Sequence, residues 1–384
     1  MKNVASLTNQ PFMNNADKSI KVLIAASEQE KLRIYRLRYQ IYVEEMGREL
    51  PSADHKNRLV FDEFDEKGFL VYAQSGSEVI GTVRLNIGTT GEFSPQLVRM
   101  FHMDVFQEFS NGQHKQKLGF SSKYLVDSAY RRSQAAYLVG VQLYEIYRSE
   151  EVQFCFAGCN PYMIPLYERI GFRRFADNFD IPEYGCMVPL VWILEDESHM
   201  RTVCSPFLRN ARRHRNNPAA ANWFLKEFPT ASRFINSRLI NEDELWLILK
   251  QKLGQSPLLV ISVLTGLTET EAKKFVHIGI IHMYKKGDQI IAPDDLCHEM
   301  NILLLGRLEV NNPALGNPND TVIISPGCLF GRVALSKIEK QIVHVVAVTE
   351  VEYLVISGMA FETFSHQHPT VASKIMNNIC NLVD

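Results

Sequence analysis

The sequence predicts an α+β fold in two parts: an N-terminal mixed sheet flanked by helices, then a C-terminal β-barrel of jelly-roll kind with helices beside it. Three features point there. Strand-like and helix-like segments alternate from Lys21 to about Glu197, composition changes over residues 198–231, and short strands with turn signals crowd the chain after Tyr284.

Taken in order, KVLIAA reads as a strand and EQEKLRIYRLRYQIYVEEM as an amphipathic helix, with apolar residues three and four apart. FLVYAQ, EVIGTVRLNI, GFSSKYLVD and VQFCFAG read as strands, with QAAYLVGVQLYEIYRSE a helix between the last two and VPLVWIL a late strand. These fill a first domain at 21–197. RTVCSPFLRNARRHRNNPAAANWF, with five arginines and two prolines, marks residues 198–231 as a basic linker. The second domain, 232–384, opens on the helices NEDELWLILKQKLG and GLTETEAKKFVHI. It continues with strands in KKGDQII, HEMNILLLGRLEV, DTVIISPGCLFG and QIVHVVAVTEVEYLVI, and closes on the helix GMAFETFSHQHPTVASKIMNNICNLV.

With 384 residues the chain can bury two or three cores, and 46% hydrophobic against 22% charged residues is ordinary for a soluble globular protein. A net charge of -2 supplies no general attraction to nucleic acid or anionic membrane, so neither is an expected partner. Seven scattered cysteines, of which only Cys155 and Cys159 lie close, make neither a metal-ligand set nor a disulfide framework. The polar start MKNVASLTNQPFMNNADKSI lacks the apolar core of a signal peptide, and no apolar run approaches the ~20 residues of a membrane span. A cytoplasmic protein without a metal is expected.

The stretch NPYMIPLYERIGF (160–172) is awkwardly written for a helix. Asn160 suits an N-cap, Pro161 the first helical position and Gly171 a C-cap, yet Pro165 falls inside and strains the turn. Asn160, Tyr167 and Gly171-Phe172 together resemble the last motif of the GNAT acyltransferase superfamily. In order and spacing, Arg38 and Tyr42, then Asp62, Phe64 and Asp65, then Arg84-Leu85 resemble one branch of it, the acyl-homoserine-lactone synthases and long-chain N-acyl amino acid synthases.

That resemblance, covering most of residues 21–197, implies a GNAT-like domain in which Tyr167 assists the departing thiolate. It implies an acceptor site drawn from Arg38, Tyr42, Phe64, Arg84, Ser122, Lys123 and Asn160, with Asp62 and Asp65 as catalytic candidates. The chemistry suits the residues: a carboxylate binds an ammonium, an arginine clamps a carboxylate, and a phenol meets a thiolate. A core tyrosine and a loop-ordering ion-pair network are the plain alternatives. Two departures stand out. The Glu-x-Ser-Arg of the lactone synthases is Phe120-Ser121-Ser122-Lys123 here, so the favoured base is missing, leaving Asp65, Glu63 or a water. The phosphate loop, Tyr130 to Ala136, lacks the family's glycines; Arg131, Arg132 and Ser133 remain as candidate contacts to the donor phosphate. This favours acyl carrier protein over acetyl-CoA, and that acidic protein is a candidate partner for the arginines here and at 209–215, whose alternative is a solvated basic face.

From about Leu264 the chain resembles a cyclic-nucleotide-binding domain, but its phosphate cassette is degenerate. Gly331 is kept, Arg332 replaces the glutamate, and Gln341 lies near the arginine position. Each lost anchor is a charge-assisted hydrogen bond worth on the order of 1.5–3 kcal/mol, so cyclic nucleotide is not an expected ligand. A regulatory, interaction or homodimerising module is expected instead. The sequence thus reads as an N-acyltransferase moving a long-chain acyl group from acyl carrier protein or acyl-CoA to an amine such as an amino acid, with no tightly bound cofactor. Its rivals are a non-catalytic lipid sensor or scaffold and a protein lysine acetyltransferase.

Overall fold

Alternating burial along the strands builds a sheet with a core on each face. The computed structural model of the chain describes residues 20–109, 116–214, 216–234, 236, 239–311 and 321–383. The N-terminal sheet comprises β1 (Lys21–Ile24), β2 (Phe69–Ser75), β3 (Glu78–Gly88), β4 (Leu118–Val126), β5 (Phe154–Cys159), β6 (Phe172–Arg174), β7 (Phe179–Ile181) and β8 (Gly185–Ile193). Their order is β1-β2-β3-β4-β5-β8-β6, with β7 on β8; β4 and β5 run parallel and the other pairs antiparallel. The mixed sheet is as expected. Along β5, Cys155 and Ala157 enter the core shared with α4 (Ala135–Ser149), while Phe154 and Phe156 enter an aromatic core on the other face.

The aromatic core was not foreseen. It is built by α2 (Pro95–Met100) and α3 (Met103–Gln107), and Phe106 packs within about 5 Å of Phe154, Phe156 and Phe228. Nor are residues 198–231 a plain linker. They fold as α6 (Glu197–Thr202), α7 (Leu208–Ala211) and α8 (Ala219–Glu227), and bury Phe207, Ala211, Ala220 and Phe224 against the first sheet. The apolar residues outweigh the charge, because each buried phenylalanine contributes roughly 1.5–3 kcal/mol while Arg209, Arg212 and Arg213 stay exposed.

The C-terminal part has α9 (Glu242–Leu253), α10 (Pro257–Val260) and α11 (Glu269–His277) ahead of its strands, and α12 (Gly358–Gln367) and α13 (Pro369–Val383) after them. Apart from a short pair, Leu296–Cys297 with Glu339–Lys340, its strands are β9 (Ile280–Tyr284), β10 (Gln289–Ile291), β11 (Glu299–Leu305), β12 (Leu308–Asn311), β13 (Thr321–Ile324), β14 (Leu329–Phe330), β15 (His344–Ala347) and β16 (Val351–Ser357). They form two four-stranded antiparallel sheets, β9-β16-β11-β14 and β10-β15-β12-β13, the two-sheet roll the turn signals implied.

This roll is seated firmly on the first sheet. One apolar core continues from Cys186 and Val188 to Tyr284, Ile291 and Tyr353. Buried Arg174 donates from Nη1 to the Ile281 carbonyl (2.7 Å) and from Nε to Glu168 (2.9 Å), while the Cys186 thiol and Tyr284 hydroxyl lie 2.6 Å apart. Among the described residues no helix is long and apolar enough to cross a membrane.

Where the roll meets the first domain, the Glu299 carboxyl is pushed up to about 7 from 4.5. Burial is the main cause, with the Asp295 charge adding and a hydrogen bond from Asn301 opposing. The folded protein therefore holds a proton that the unfolded chain releases, and stability falls as pH rises from about 4.5 to about 7. Glu299→Gln removes this penalty. Urea titrations should show the variant gaining on the order of 3 kcal/mol more, relative to wild type, at pH 8 than at pH 4.5; an equal effect at both pH values would assign the cost elsewhere.

Candidate active site

The site grows from a self-capped loop. α1 (Glu28–Tyr39) opens on a Ser27–Glu30 capping box, and its Arg38 points into the protein, fully buried. The helix runs on into a π turn, Gln40–Glu45, which buries Ile41 and Tyr42. The Asp-x-Phe-Asp motif forms a single 3₁₀ turn in which each aspartate caps the other's end. Asp62 Oδ1 accepts from the Phe64 amide (3.0 Å) and Asp65 Oδ2 accepts from the Asp62 amide (2.9 Å).

That turn is wedged between two guanidiniums. Arg38 Nη1 donates to both Asp65 oxygens (2.8 and 2.9 Å), and Arg84 Nη1 reaches Asp65 Oδ1 (3.1 Å) and Asp62 Oδ1. Arg84 Nε donates to Ser122 Oγ (3.0 Å), and its guanidinium lies over the Phe64 ring, 5.4 Å from the centroid. Lys123 Nζ stands 3.6 Å from Asp62 Oδ2, donates to the Tyr184 hydroxyl (2.6 Å) and faces the rings of Tyr42 and Tyr184. Burial opposes the charged form of Asp62, but Arg84 and Lys123 outweigh it and hold its carboxyl below the ordinary range. The structure thus brings together Arg38, Tyr42, Asp62, Phe64, Asp65, Arg84, Ser122 and Lys123.

The cluster adjoins a break in the sheet. β4 pairs with β5 only through Leu118–Phe120 and Phe154–Phe156; beyond, β5 pairs only with β8. At the point of parting, the β3–β4 register slips between Thr82 and Arg84, and Lys123 adopts φ 55°, a left-handed conformation costly for a side chain and characteristic of a bulge. Ser121 Oγ is held by Tyr147 Oη (2.8 Å), and a side chain at Gly119 would collide with that tyrosine's ring.

Pro165 is less awkward than expected. A 3₁₀ turn, Pro161–Met163, comes first, and α5 (Ile164–Ile170) then starts anew with Pro165 in its first turn, where no donor is lost. Nor does Asn160 cap the helix: its amide donates to the carbonyls of Tyr184 (2.7 Å) and Cys186 (3.0 Å), tying the end of β5 to the start of β8, and accepts from Arg48 (3.2 Å). Half-buried Tyr167 packs edge-on against Phe172 and lines a cavity of about 30 Å³ with Ser121, Tyr124 and Trp192. Burial, then the neighbouring Cys159, Tyr124 and Tyr42, push its hydroxyl well above the usual phenol range.

Arg131, Arg132 and Ser133 lie together ahead of α4 but are already engaged. Arg131 pairs with Glu45, Arg132 reaches across to Glu362 on α12, and Ser133 Oγ accepts from the Ala135 amide (3.1 Å). Among the arginines at 209–215, Arg212 pairs with Glu197, and residue 215 lies outside the described residues. In the roll, Gly331 has φ 70°, the Arg332 amide donates to Gln341 Oε1 (2.7 Å), and Arg332 Nε reaches Glu339 (2.5 Å). The roll's inner cavity, about 30 Å³, is lined by Glu299, Gln341 and Tyr353 on one side and by Pro161, Tyr162 and Tyr184 of the first domain on the other. Arg48 and Tyr184 escaped the sequence reading; a lone tyrosine in the turn IPEYGC carries no periodic signal.

The two parts of the chain each match a known family. Residues 33–193 match the family model of the N-acyl amino acid synthase FeeM, and residues 281–368 match that of the cyclic nucleotide-binding domain. Among solved structures, FeeM from uncultured soil microbes is 12% identical with a TM-score of 0.40, over 50% of this chain and 98% of that one. The acyl-homoserine-lactone synthase LasI is 16% identical with a TM-score of 0.35, over 46% and 91%. The catabolite activator protein of Thermus thermophilus is 21% identical with a TM-score of 0.29, over 32% and 58%. A search of the curated proteins finds no match.

Removing one partner of a buried ion cluster leaves the others uncompensated. Asp65→Ala should therefore lower unfolding stability by about 3–5 kcal/mol in urea titrations, whereas Lys31→Ala, in a partly exposed pair on α1, should stay within about 0.5 kcal/mol.

Proposed function

We propose that the chain joins an acyl group, carried as a thioester, to the nitrogen of an amine, with an amino acid as the leading acceptor. The observation that carries this reading is the Arg38–Asp65–Arg84–Asp62–Lys123 cluster at the point where β4 and β5 part. The thioester lies in the parting, where unpaired strand amides meet the developing oxyanion. The acceptor's ammonium meets the Asp62 carboxylate, and the guanidinium of Arg84 beside it can meet an acceptor carboxylate. The amine nitrogen bonds to the carbonyl carbon, the carbon–sulfur bond breaks, and Tyr167, kept neutral by burial, donates a hydrogen bond to the departing thiolate.

A carrier-protein donor fits the turn ahead of α4 better than a CoA pyrophosphate does. Glycines are lacking there, and Ser133 already takes an amide that a phosphate would use. Seven free thiols support a reducing compartment such as the cytoplasm. The C-terminal domain acts as a regulatory or interaction module, homodimerisation included, rather than as a cyclic-nucleotide receptor. A cavity of about 30 Å³ has room for a water molecule, not a nucleotide.

Incubation with long-chain acyl-carrier-protein and acyl-CoA thioesters and pooled amino acids should yield N-acyl amino acids by mass spectrometry. Tyr167→Phe should lower kcat by about 10²-fold with KM little changed. Failure of every donor to yield an N-acyl product would overturn the reading, and tight binding of acetyl-CoA in calorimetry would favour a lysine acetyltransferase. Cyclic AMP and cyclic GMP should leave the melting temperature unchanged.

A further inference from the structure

Resting on the N-acyltransferase reading, we propose that Lys123 is the general base that takes the proton from the acceptor's ammonium. Three cations, Arg38, Arg84 and Lys123, face two carboxylates, Asp62 and Asp65, in one buried cluster. The cluster is neutral when Lys123 has lost its proton and carries one surplus positive charge when it has not. Of the three, only a lysine can give up a proton at ordinary pH.

The groups around Lys123 come from every element packed on it. Burial, with Arg84 of β3 and Arg38 of α1, lowers its affinity for the proton; Tyr42 of the π turn and Asp62 of the capped loop oppose them, and the net direction is down from 10.5. The Tyr184 hydroxyl, from the turn before β8, accepts a hydrogen bond from Nζ.

Geometry places the amine where the proton arrives. Asp62 is the more accessible carboxylate of the cluster, at 25% against 3% for Asp65. Its Oδ1 is committed to Arg84 and the Phe64 amide, whereas Oδ2 has Lys123 Nζ at 3.6 Å, beyond hydrogen-bond reach. An ammonium seated on Oδ2 therefore lies against Nζ. In the neutral amine one N–H keeps the bond to Tyr184, leaving the lone pair for the acceptor. The left-handed backbone at Lys123 also puts this side chain out of step with the alternation of β4, next to the parting from β5.

The proton count closes. The ammonium passes one proton to Lys123, and its nitrogen lone pair attacks the thioester. As the carbon–sulfur bond breaks, the second proton leaves nitrogen and the sulfur departs as thiol. Lys123 then returns its proton to solvent, so each turnover yields an amide, a thiol and one released proton.

The test is the pH dependence of kcat for wild type, Lys123→Arg and Lys123→Met, with melting curves confirming the fold. Wild-type kcat should rise through an ionisation below the ordinary lysine range. Both variants should lose about 10²–10⁴-fold at neutral pH, a deficit that shrinks as rising pH deprotonates the acceptor unaided. Arginine keeps the charge and a donor toward Tyr184 but cannot exchange the proton. A Lys123→Arg enzyme within a few-fold of wild type therefore overturns the proposal, as does a wild-type kcat that does not change with pH, a measurement needing no variant. Absence of N-acylation by wild type would instead reject the reading beneath it.

Discussion

The N-terminal domain depends on how Asp65 is held. Its carboxylate takes Arg38 from α1, Arg84 from β3 and the amide of Asp62, so one buried anion fixes a helix, a strand and the loop between them. Removing such charges from water costs several kcal/mol each, and the arrangement holds because nearly every oxygen is spoken for. It is not tuned for stability alone. Arg38 Nε and Nη2 are buried without a hydrogen-bond partner among the described residues, although the guanidinium lies over the Tyr35 ring. Apolar residues would fill that space at lower cost. Donors and charges kept there at a penalty, beside parted strands, are what the proposed site for charged reactants is built on.

The parting of β4 from β5 follows from the same region. Arg84 must stay beside Ser122 to reach both aspartates, and the bulge at Lys123 absorbs the slip this imposes on the β3–β4 ladder. Past Phe156, β5 is claimed by β8, and Asn160 straps its end to the Tyr184 and Cys186 carbonyls. Tyr184 thereby joins two regions: its hydroxyl meets Lys123, and its turn lines the cavity of the roll.

Much of this was legible in the sequence. Alternating apolar runs located β1 to β5 and β8 within a residue or two at most ends, and the ordered motifs from Arg38 to Arg84 named most of the cluster before its geometry was known. What stayed hidden has physical causes. The helices at 95–107 are short and their phenylalanines face one another, so no amphipathic period forms. Phe207 was hidden by the neighbouring Arg209, Arg212 and Arg213, which are exposed while the ring is buried. Pro165 looked like a defect because the preceding 3₁₀ turn, which resets the helix start, leaves no mark in residue types. Tyr184 and Arg48 act through long-range contacts to Asn160 and Lys123, which no local pattern encodes.

In the roll the residues at the cassette position pair with one another. Where a nucleotide-binding cassette offers an acid and a base to its ligand, here Arg332 turns to Glu339 of the same segment, and its amide is satisfied by the Gln341 side chain. Gln341 in turn donates its amide to the Asp295 carbonyl and accepts from the Asp294 amide, so the cassette is hydrogen-bonded to its own strand ends. The space left is walled on one side by Pro161, Tyr162 and Tyr184 of the first domain. The surface that in a receptor would face a small molecule here bears on the turn that holds the Tyr184 hydroxyl against Lys123.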